Sequence, residues 1–251
     1  MKRLLIALFT VIPALALASS GGVHLDAANN DLADKESLKR GFDSYVNYCL
    51  GCHQLQYQRY TRTFDDLGID IEDGSAKYLL NGQKPGEHIK NAMPAKEAAK
   101  WFGSAPPDLT LIARLKPGPD YIYTYLRSFY VDDTRPFGVN NSVFPDVGMP
   151  HVLQTLQGIQ TKVITQEKVT ANEAQGIKAQ AEISHLTPAT GGTMTVEEYD
   201  VFSRDLANFF EYVGEPNKLE RESLGYWVIG FLCILFILSY LLKKEYWRDI
   251  H

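Results

Sequence analysis

The sequence predicts a mainly α-helical domain that is interrupted by loop insertions and followed by one C-terminal transmembrane helix. Three features of the 251-residue chain support this fold class. Apolar residues recur at intervals of three and four in two segments, one before Cys49 and one after Thr195, as they do in amphipathic helices. Long apolar runs occupy both ends of the chain, whereas the middle is polar. The C-terminal run, Leu224 to Leu242, has 19 residues without a charge, which is long enough to span a bilayer.

Residues 1–18 read as a secretory signal peptide. Lys2 and Arg3 supply the charged start, a short apolar stretch follows, and Ala-Leu-Ala at 16–18 is a small-residue cleavage site. An uncleaved N-terminal anchor is the alternative, although the apolar run is short for a membrane span. The pattern predicts export from the cytoplasm.

An amphipathic helix is expected from Asp34 onward, leading into the segment Cys49-Leu-Gly-Cys-His53. This spacing is the attachment signal for a c-type haem. Each thiol adds to one haem vinyl group, and the histidine that follows supplies the proximal iron ligand. We therefore expect a cytochrome c-type haem domain with one covalently bound haem c, attached at Cys49 and Cys52 and ligated by His53.

Two other kinds of site use a Cys-x-x-Cys pair. A zinc site would need more ligands, but the only other cysteine is Cys233, in the C-terminal apolar run. A thioredoxin-like redox pair has no use for His53 and belongs in a βαβ pattern, which the sequence does not show. A haem site is therefore favoured.

An acidic cluster follows the motif, with five carboxylates and no basic residue within nine positions. A charge run of this kind is usually a solvated face, but it could also be a docking face for a basic electron acceptor. The cluster consists of Asp65, Asp66, Asp70, Glu72 and Asp73.

Arg114 and Lys116 are candidates to neutralise the haem propionates, with surface salt bridges as the alternative. A second amphipathic helix is expected from Asp120 to Val131. Its aromatic residues, Tyr121 among them, are most simply core or haem-packing residues.

Met149 lies between a glycine and a proline in the loop-like segment Asp132 to Val152, where a distal thioether ligand could arise. Met93 also precedes a proline, so context alone does not separate the two. Ligation of the iron by a second histidine is a third possibility, with His/Met ligation giving the higher reduction potential. The histidines in question are His88, His151 and His185.

Residues 157–183 read as an insertion of unknown role. Val152 to Leu156 and Lys162 to Val169 alternate and could pair as strands. Thr195 and Glu198 form a capping box that opens a helix ending near Gly214. We expect this helix to cross the one before the haem motif.

Tyrosine and tryptophan flank the C-terminal apolar run, and Lys243, Lys244 and Arg248 follow it, so its C-terminal end is expected in the cytoplasm. The predicted organisation is a signal peptide at 1–18, a periplasmic haem domain at 19–223, a single-pass anchor in membrane lipid at 224–242 and a cytoplasmic tail at 243–251.

The charge balance limits the partners. The chain has a net charge of −5, and the stretch between its apolar ends carries 28 acidic against 20 basic side chains. Nucleic acid selects basic faces, so a nucleic-acid partner is excluded. A positively charged partner that is met by electrostatic steering is favoured.

From about Lys35 to the C-terminus, apart from the insertion, the chain resembles bacterial members of the cytochrome c1 family. These are the haem c subunits of the quinol–cytochrome c reductase, or cytochrome bc1, complex. The haem motif is common to all cytochromes c. The more specific segments are Ala105-Pro-Pro-Asp-Leu-Thr-Leu-Ile-Ala-Arg114, Asp120-Tyr121, Val147-Gly-Met149-Pro and Gly214-Glu-Pro216.

The resemblance implies that Met149, rather than Met93, is the distal ligand. It also implies that Pro107 lies in the haem pocket and that Tyr121 and a basic residue near Arg114 contact the propionates. The chain is one residue shorter than the family pattern between these points, so either Arg114 or Lys116 could hold that position, and we favour Arg114. A disulfide that stiffens the methionine loop in some bacterial relatives is absent, because only Cys49, Cys52 and Cys233 exist.

The resemblance further implies a one-electron carrier of the respiratory chain, which is not an enzyme on its own. It would take electrons from a Rieske iron–sulfur protein and pass them to a soluble or tethered cytochrome c. Its partners would be cytochrome b and the Rieske subunit, in a dimeric complex of the bacterial cytoplasmic membrane. The alternative is a membrane-anchored cytochrome c that donates directly to a terminal oxidase or peroxidase. A third class, an anchored binding module with a structural cysteine pair, leaves His53 unexplained.

Overall fold

The computed structural model describes residues 24–79, 82–115, 117–168 and 180–248. The predicted signal peptide lies outside these residues. The helices are α1 (Lys35–Tyr48), α2 (Tyr60–Leu67), α3 (Ile71–Tyr78), α4 (Ala95–Phe102), α5 (Ile112–Leu115), α6 (Pro119–Arg127), α7 (Gln154–Gln157), α8 (Val196–Gly214) and α9 (Lys218–Tyr246). The strands are β1 (Leu55–Arg59), β2 (His88–Ile89), β3 (Phe129–Val131), β4 (Val139–Asn141), β5 (Gly158–Ile159), β6 (Lys162–Lys168), β7 (Gln180–Leu186) and β8 (Thr190–Gly191).

Helix α1 begins where the sequence predicts. The Asp34 side chain accepts a hydrogen bond from the Ser37 backbone N–H and so caps the first turn. Leu38, Phe42 and Tyr45 recur at intervals of three and four and are all buried. This apolar stripe is the face that α1 presents to the core.

The crossing of α1 and α8 is the centre of the fold and confirms the predicted helix pair. Phe42 of α1 packs on Phe209 of α8 with ring centroids 5.5 Å apart. The helices approach closely at Gly41, where a Cβ atom would lie 2.2 Å from the Asp205 carbonyl oxygen. Because glycine has no side chain, the two backbones can come this near.

A buried carboxylate stabilises the crossing of α1 and α8. Asp205 of α8 is 5 % exposed. It accepts hydrogen bonds from the Ser37 hydroxyl at 2.7 Å and from the Arg40 guanidinium at 2.6 and 3.0 Å. Charged hydrogen bonds of this forked kind are stronger than neutral ones, so they fix the register of the two helices.

We expect Asp205→Ala to lower the free energy of unfolding by about 3 kcal/mol, because it leaves Ser37 and Arg40 without their acceptor. For a domain of this size the loss corresponds to a melting temperature roughly 6–12 °C lower. The measurement is heat unfolding of the full-length protein in detergent, followed by circular dichroism. Glu36→Ala is the matched control, since its ion pair with Lys39 lies on the solvent face of α1 and contributes little. An equal loss of stability in the two variants would contradict the stabilising role assigned to Asp205.

Helix α6 is shorter than predicted. It ends at Arg127, and residues 129–131 form β3, which pairs antiparallel with β4 in the register Phe129 with Asn141. The prediction of helix as far as Val131 is therefore wrong. Aromatic and β-branched residues favour the strand, and the ladder to 139–141 supplies its hydrogen bonds. α6 packs on α8, where the Tyr199 hydroxyl donates to the Leu126 carbonyl at 2.9 Å.

The predicted pairing of Val152–Leu156 with Lys162–Val169 is also wrong. Strand β6 pairs instead with β7 in an antiparallel hairpin, with Lys162 opposite Leu186. The earlier segment leads into the short helix α7 (Gln154–Gln157), and Leu153 is 1 % exposed. The described part of the 157–183 insertion is therefore β5 and β6 together with the start of β7.

Helix α8 opens on the predicted capping box. The Thr195 hydroxyl accepts from the Glu198 N–H, and the Glu198 carboxylate accepts from the Thr195 N–H. The helix ends at Gly214, and three residues separate it from the start of α9 at Lys218. α9 has 29 residues, none of them buried, and is long and apolar enough to cross a membrane. It starts six residues before the uncharged run that predicted it.

Candidate haem-binding site

The cysteine motif continues α1 by one further turn. The Cys49 N–H donates to the Tyr45 carbonyl at 2.8 Å, and the N–H groups of Cys52 and His53 both donate to the Cys49 carbonyl, at 3.0 and 2.8 Å. Both cysteines are free thiols. Burial raises the pKa of the Cys49 thiol to about 12, so the thiol is protonated at neutral pH. Two thiols one turn apart match the spacing needed to bond two vinyl groups.

His53 is held in one tautomer. Its Nδ1 lies 2.8 Å from the Pro107 carbonyl oxygen. A carbonyl can only accept, so Nδ1 carries the proton and Nε2 keeps its lone pair. Burial lowers the pKa of the imidazole, which favours the neutral form. An imidazole oriented through its second nitrogen is the usual form of a metal-binding histidine.

The segment that carries Pro107 is bound to the residues after the motif. The Leu109 N–H donates to the Gln54 carbonyl at 3.0 Å. The Asp108 carboxylate accepts from the Gln56 N–H at 2.8 Å and from the Thr110 N–H at 2.9 Å. These bonds fix Pro107 opposite His53, which brings two of the predicted site segments together.

Two contacts at the motif were not predicted. The Tyr45 hydroxyl donates to the His53 carbonyl at 2.8 Å, and the Asn91 amide donates to the Cys52 carbonyl. Tyr45 lies one turn before Cys49, so helical spacing places it on the motif's face. The partner of its hydroxyl cannot be read from spacing.

Met149 lies at the end of a loop whose shape is set by side chains. Asn141 is fully buried, and its amide oxygen accepts from the N–H groups of Val143 and Phe144. Arg135 donates to the Asp146 carbonyl at 2.7 Å. The Asn-Asn pair at 140–141 was the available signal, because asparagine side chains often bond nearby backbone in turns. These bonds hold a loop that has no disulfide.

The sulfur of Met149 accepts a hydrogen bond from the Tyr125 hydroxyl at 3.4 Å. Tyr125 packs against both hydrophobic clusters of the domain, the large one that contains Cys49 and the smaller one that contains Phe129 and Val147. Tyr125 therefore lies between the motif's cluster and the methionine loop. The sequence marked it only as a core or haem-packing residue.

The other candidates for the distal ligand lie in different environments. Met93 lines a cavity of about 470 Å³ together with Leu50 and Gly51, the two spacers of the motif. His151 stacks on Phe129 at 4.6 Å with its Nε2 buried and unbonded. The two other histidines are His88 in β2 and the exposed His185 in β7.

The two basic candidates for the propionates are placed differently. The Arg114 guanidinium lies 2.6 Å from the Glu215 carboxylate, which also binds Arg221. These bases lower the pKa of Glu215, Arg221 having the larger effect. Lys116 lies outside the described residues. Tyr121 stacks on Tyr125 with ring centroids 6.0 Å apart.

Comparison with known proteins decides the family. The model of the cytochrome c1 family matches residues 28–250. The chain belongs to the cytochrome c1 family. Members are the c-type cytochromes of bc1 complexes, so the chain is an electron-transfer subunit that carries one covalent haem c and assembles with cytochrome b and a Rieske protein.

Curated relatives cover the whole chain. Cytochrome c1 of Allochromatium vinosum is 50% identical over 254 residues, which is all of both proteins. A protein of Nitrosomonas europaea named ammonia monooxygenase gamma subunit is 46% identical, over all of this chain and 98% of its own length. Cytochrome c1 of Rhodospirillum rubrum is 28% identical, over 99% of this chain and 97% of its own.

The local geometry fits the family's haem. Two free thiols are spaced by one turn, and the following imidazole keeps a lone pair on Nε2. Within the described ranges, no group of three or more histidine, cysteine or acidic side chains could hold a metal ion.

Two residues of the acidic cluster stabilise local structure, and three others are exposed without such a role in the fold. Asp66 pairs with Arg62 and accepts from the Tyr212 hydroxyl at 2.8 Å. Asp70 caps α3 by accepting from two backbone N–H groups. The remaining three, Asp65, Glu72 and Asp73, are exposed.

Proposed function

We propose that the chain carries single electrons from a Rieske iron–sulfur protein to a soluble or tethered cytochrome c, on the periplasmic face of a bacterial cytoplasmic membrane. Membership of the cytochrome c1 family supports this role. The observation that carries the site assignment is the hydrogen bond from His53 Nδ1 to the Pro107 carbonyl, which leaves Nε2 available beside two free thiols.

We propose that Cys49 and Cys52 would form the two thioether bonds and that His53 and Met149 would hold the haem iron. The haem supplies the site that gains and loses one electron. The residues around it hold it in place. Pro107 fixes the His53 tautomer, and Tyr45 and Asn91 brace the backbone of the motif. No side chain is needed as an acid, a base or a nucleophile.

For the propionates, Tyr121 and a nearby base remain the proposed partners. Arg114 already has a carboxylate partner in Glu215. A propionate would have to share the guanidinium with Glu215 or be met by Lys116. We propose that the exposed acids Asp65, Glu72 and Asp73 contribute negative potential that steers a basic acceptor, whereas Asp66 and Asp70 serve the fold.

The proposed domain organisation is a signal peptide at 1–18, a periplasmic domain at 19–223, an anchor at 224–242 and a cytoplasmic tail at 243–251. Helix α9 covers the anchor, and the lysines in its last turn favour a cytoplasmic C-terminus. We propose that the assembled complex is dimeric.

The test is to purify the tagged full-length protein from its own membranes in mild detergent. A reduced-minus-oxidised spectrum should show c-type and b-type haem together, and added quinol should reduce added cytochrome c. The double variant Cys49→Ser, Cys52→Ser is the matched control and should lack covalent haem on a denaturing gel. A c-type signal alone, or one accompanied by oxygen consumption, would contradict the proposal and favour direct donation to an oxidase.

A further inference from the structure

Tyr125 is the described residue whose hydroxyl reaches the Met149 sulfur. The O–H donates to Sδ over 3.4 Å. A thioether sulfur is a weak acceptor with few partners available to it in a protein. The contact therefore places a dipole directly on the atom that we assign to the distal position.

The geometry of this contact is fixed from both sides. The Tyr125 ring lies edge-on against Phe129 at 5.3 Å and stacks on Tyr121 at 6.0 Å. The Tyr125 carbonyl accepts from the Asn141 amide at 2.8 Å, and Asn141 shapes the methionine loop. Helix and loop are thus joined at the same residue, which holds the hydroxyl next to the sulfur.

We propose that Tyr125 sets the reduction potential of the site by withdrawing electron density from the Met149 sulfur. This inference rests on the proposed function, because Tyr125 acts through Met149 as ligand. A hydrogen bond to sulfur reduces its capacity to donate to iron. The ferric form depends more on that donation than the ferrous form, so the bond favours the ferrous form and raises the potential. Tyr125 would thus act on the haem through the Met149 sulfur, as a positioning residue rather than as a ligand.

The test is Tyr125→Phe in the full-length protein, which removes one oxygen and keeps the ring. Tyr123→Phe is the matched control, since Tyr123 lies on the same helix and its ring packs under Arg127. Three measurements are made on each variant: the midpoint potential, the sulfur-to-iron charge-transfer band of the ferric protein, and the affinity of the ferric protein for added imidazole.

We expect Tyr125→Phe to keep the charge-transfer band and to have a lower midpoint potential than the wild type. The sulfur should bind ferric iron more firmly, so the apparent affinity for imidazole should fall about threefold to fivefold, the size of one ordinary net hydrogen bond. Tyr123→Phe should match the wild type in all three measurements. If the Tyr125 ring had only a structural role, none of the three measurements would change in Tyr125→Phe.

An unchanged potential with the charge-transfer band intact would overturn the inference. Loss of the band in Tyr125→Phe would also overturn it, because the hydroxyl would then hold the sulfur rather than tune it. If Tyr125→Phe is poorly folded, Tyr125→Leu, which is smaller and offers no hydrogen-bond donor to the sulfur, decides the same question. Failure of the ligand assignment is distinguished by Met149→Leu: if that variant keeps the wild-type band, Met149 is not the ligand, and the ligand assignment and this inference are both wrong.

Discussion

Replacing Met149 by leucine should lower the midpoint potential by roughly 0.1–0.3 V, since axial ligands set haem potentials over about 0.8 V. Leucine is close to methionine in volume and should leave the fold largely intact. It offers no sulfur, so the ferric charge-transfer band should disappear and added imidazole should bind readily. The Tyr125 hydroxyl also loses its acceptor, which should cost about 1 kcal/mol of stability.

Met93→Leu is the matched control for this experiment. Met93 lies beside the spacers of the motif and also precedes a proline, so it resembles Met149 in context. We expect it to leave the potential and the charge-transfer band at their wild-type values. The opposite result, with Met93→Leu losing the band and Met149→Leu retaining it, would exchange the two assignments.

Substituting alanine for Gly41 should destabilise the protein by at least about 3 kcal/mol, at the upper end of the range for overpacked positions. The new Cβ would lie 2.2 Å from the Asp205 carbonyl oxygen and 2.7 Å from the Phe209 Cβ, both on the crossing helix. Alanine is better than glycine in a helix by about 1 kcal/mol. The clash exceeds this gain, because neither contact is the free end of a flexible side chain.

Heat unfolding of the full-length protein in detergent measures the effect, together with the yield of haem-containing protein. Gly86→Ala is the control, because a Cβ there meets no atom within 4 Å. A melting temperature of Gly41→Ala at or above that of the wild type would show that helix propensity outweighs the crossing. The close approach of α1 and α8 would then be wrong.

The sequence was most informative where a local pattern has one physical meaning. The stripe at Leu38, Phe42 and Tyr45 predicted α1, and the capping box at Thr195 predicted the start of α8. The cysteine motif predicted the haem that the family carries. Each of these signals lies within a few residues of the feature it describes.

Long-range pairings could not be predicted in the same way. Strand β6 has an alternating sequence pattern, but this pattern does not indicate that its partner is 180–186 rather than 152–156. The bond from His53 to Pro107 joins residues 54 positions apart. Ala28 illustrates the same limit: it is fully buried, and its N–H donates to Asp120 at 2.8 Å, yet the segment around it has no usable period.

The shape of the Met149 loop could not be predicted from its sequence. Asparagine side chains often bond nearby backbone, but which backbone groups Asn140 and Asn141 bind depends on the folded loop. The tyrosine hydroxyls could not be assigned either, because a tyrosine on an apolar face is usually a packing residue. The sequence therefore located the ligand candidates but not the groups that tune them.

The short connection between α8 and α9 determines how far the domain stands from the lipid. Three residues separate the helices, and Glu215 among them is bound by Arg114 on one side and Arg221 on the other. The six residues from Lys218 to Ser223 rise only about 9 Å before the uncharged run begins. With the proposed anchor at 224–242, the base of the domain would lie at the level of the lipid headgroups, joined to the anchor by continuous helix rather than by a flexible linker. We therefore expect this helix to set the height of the domain above the bilayer, so that movement during electron delivery would come from the redox partners.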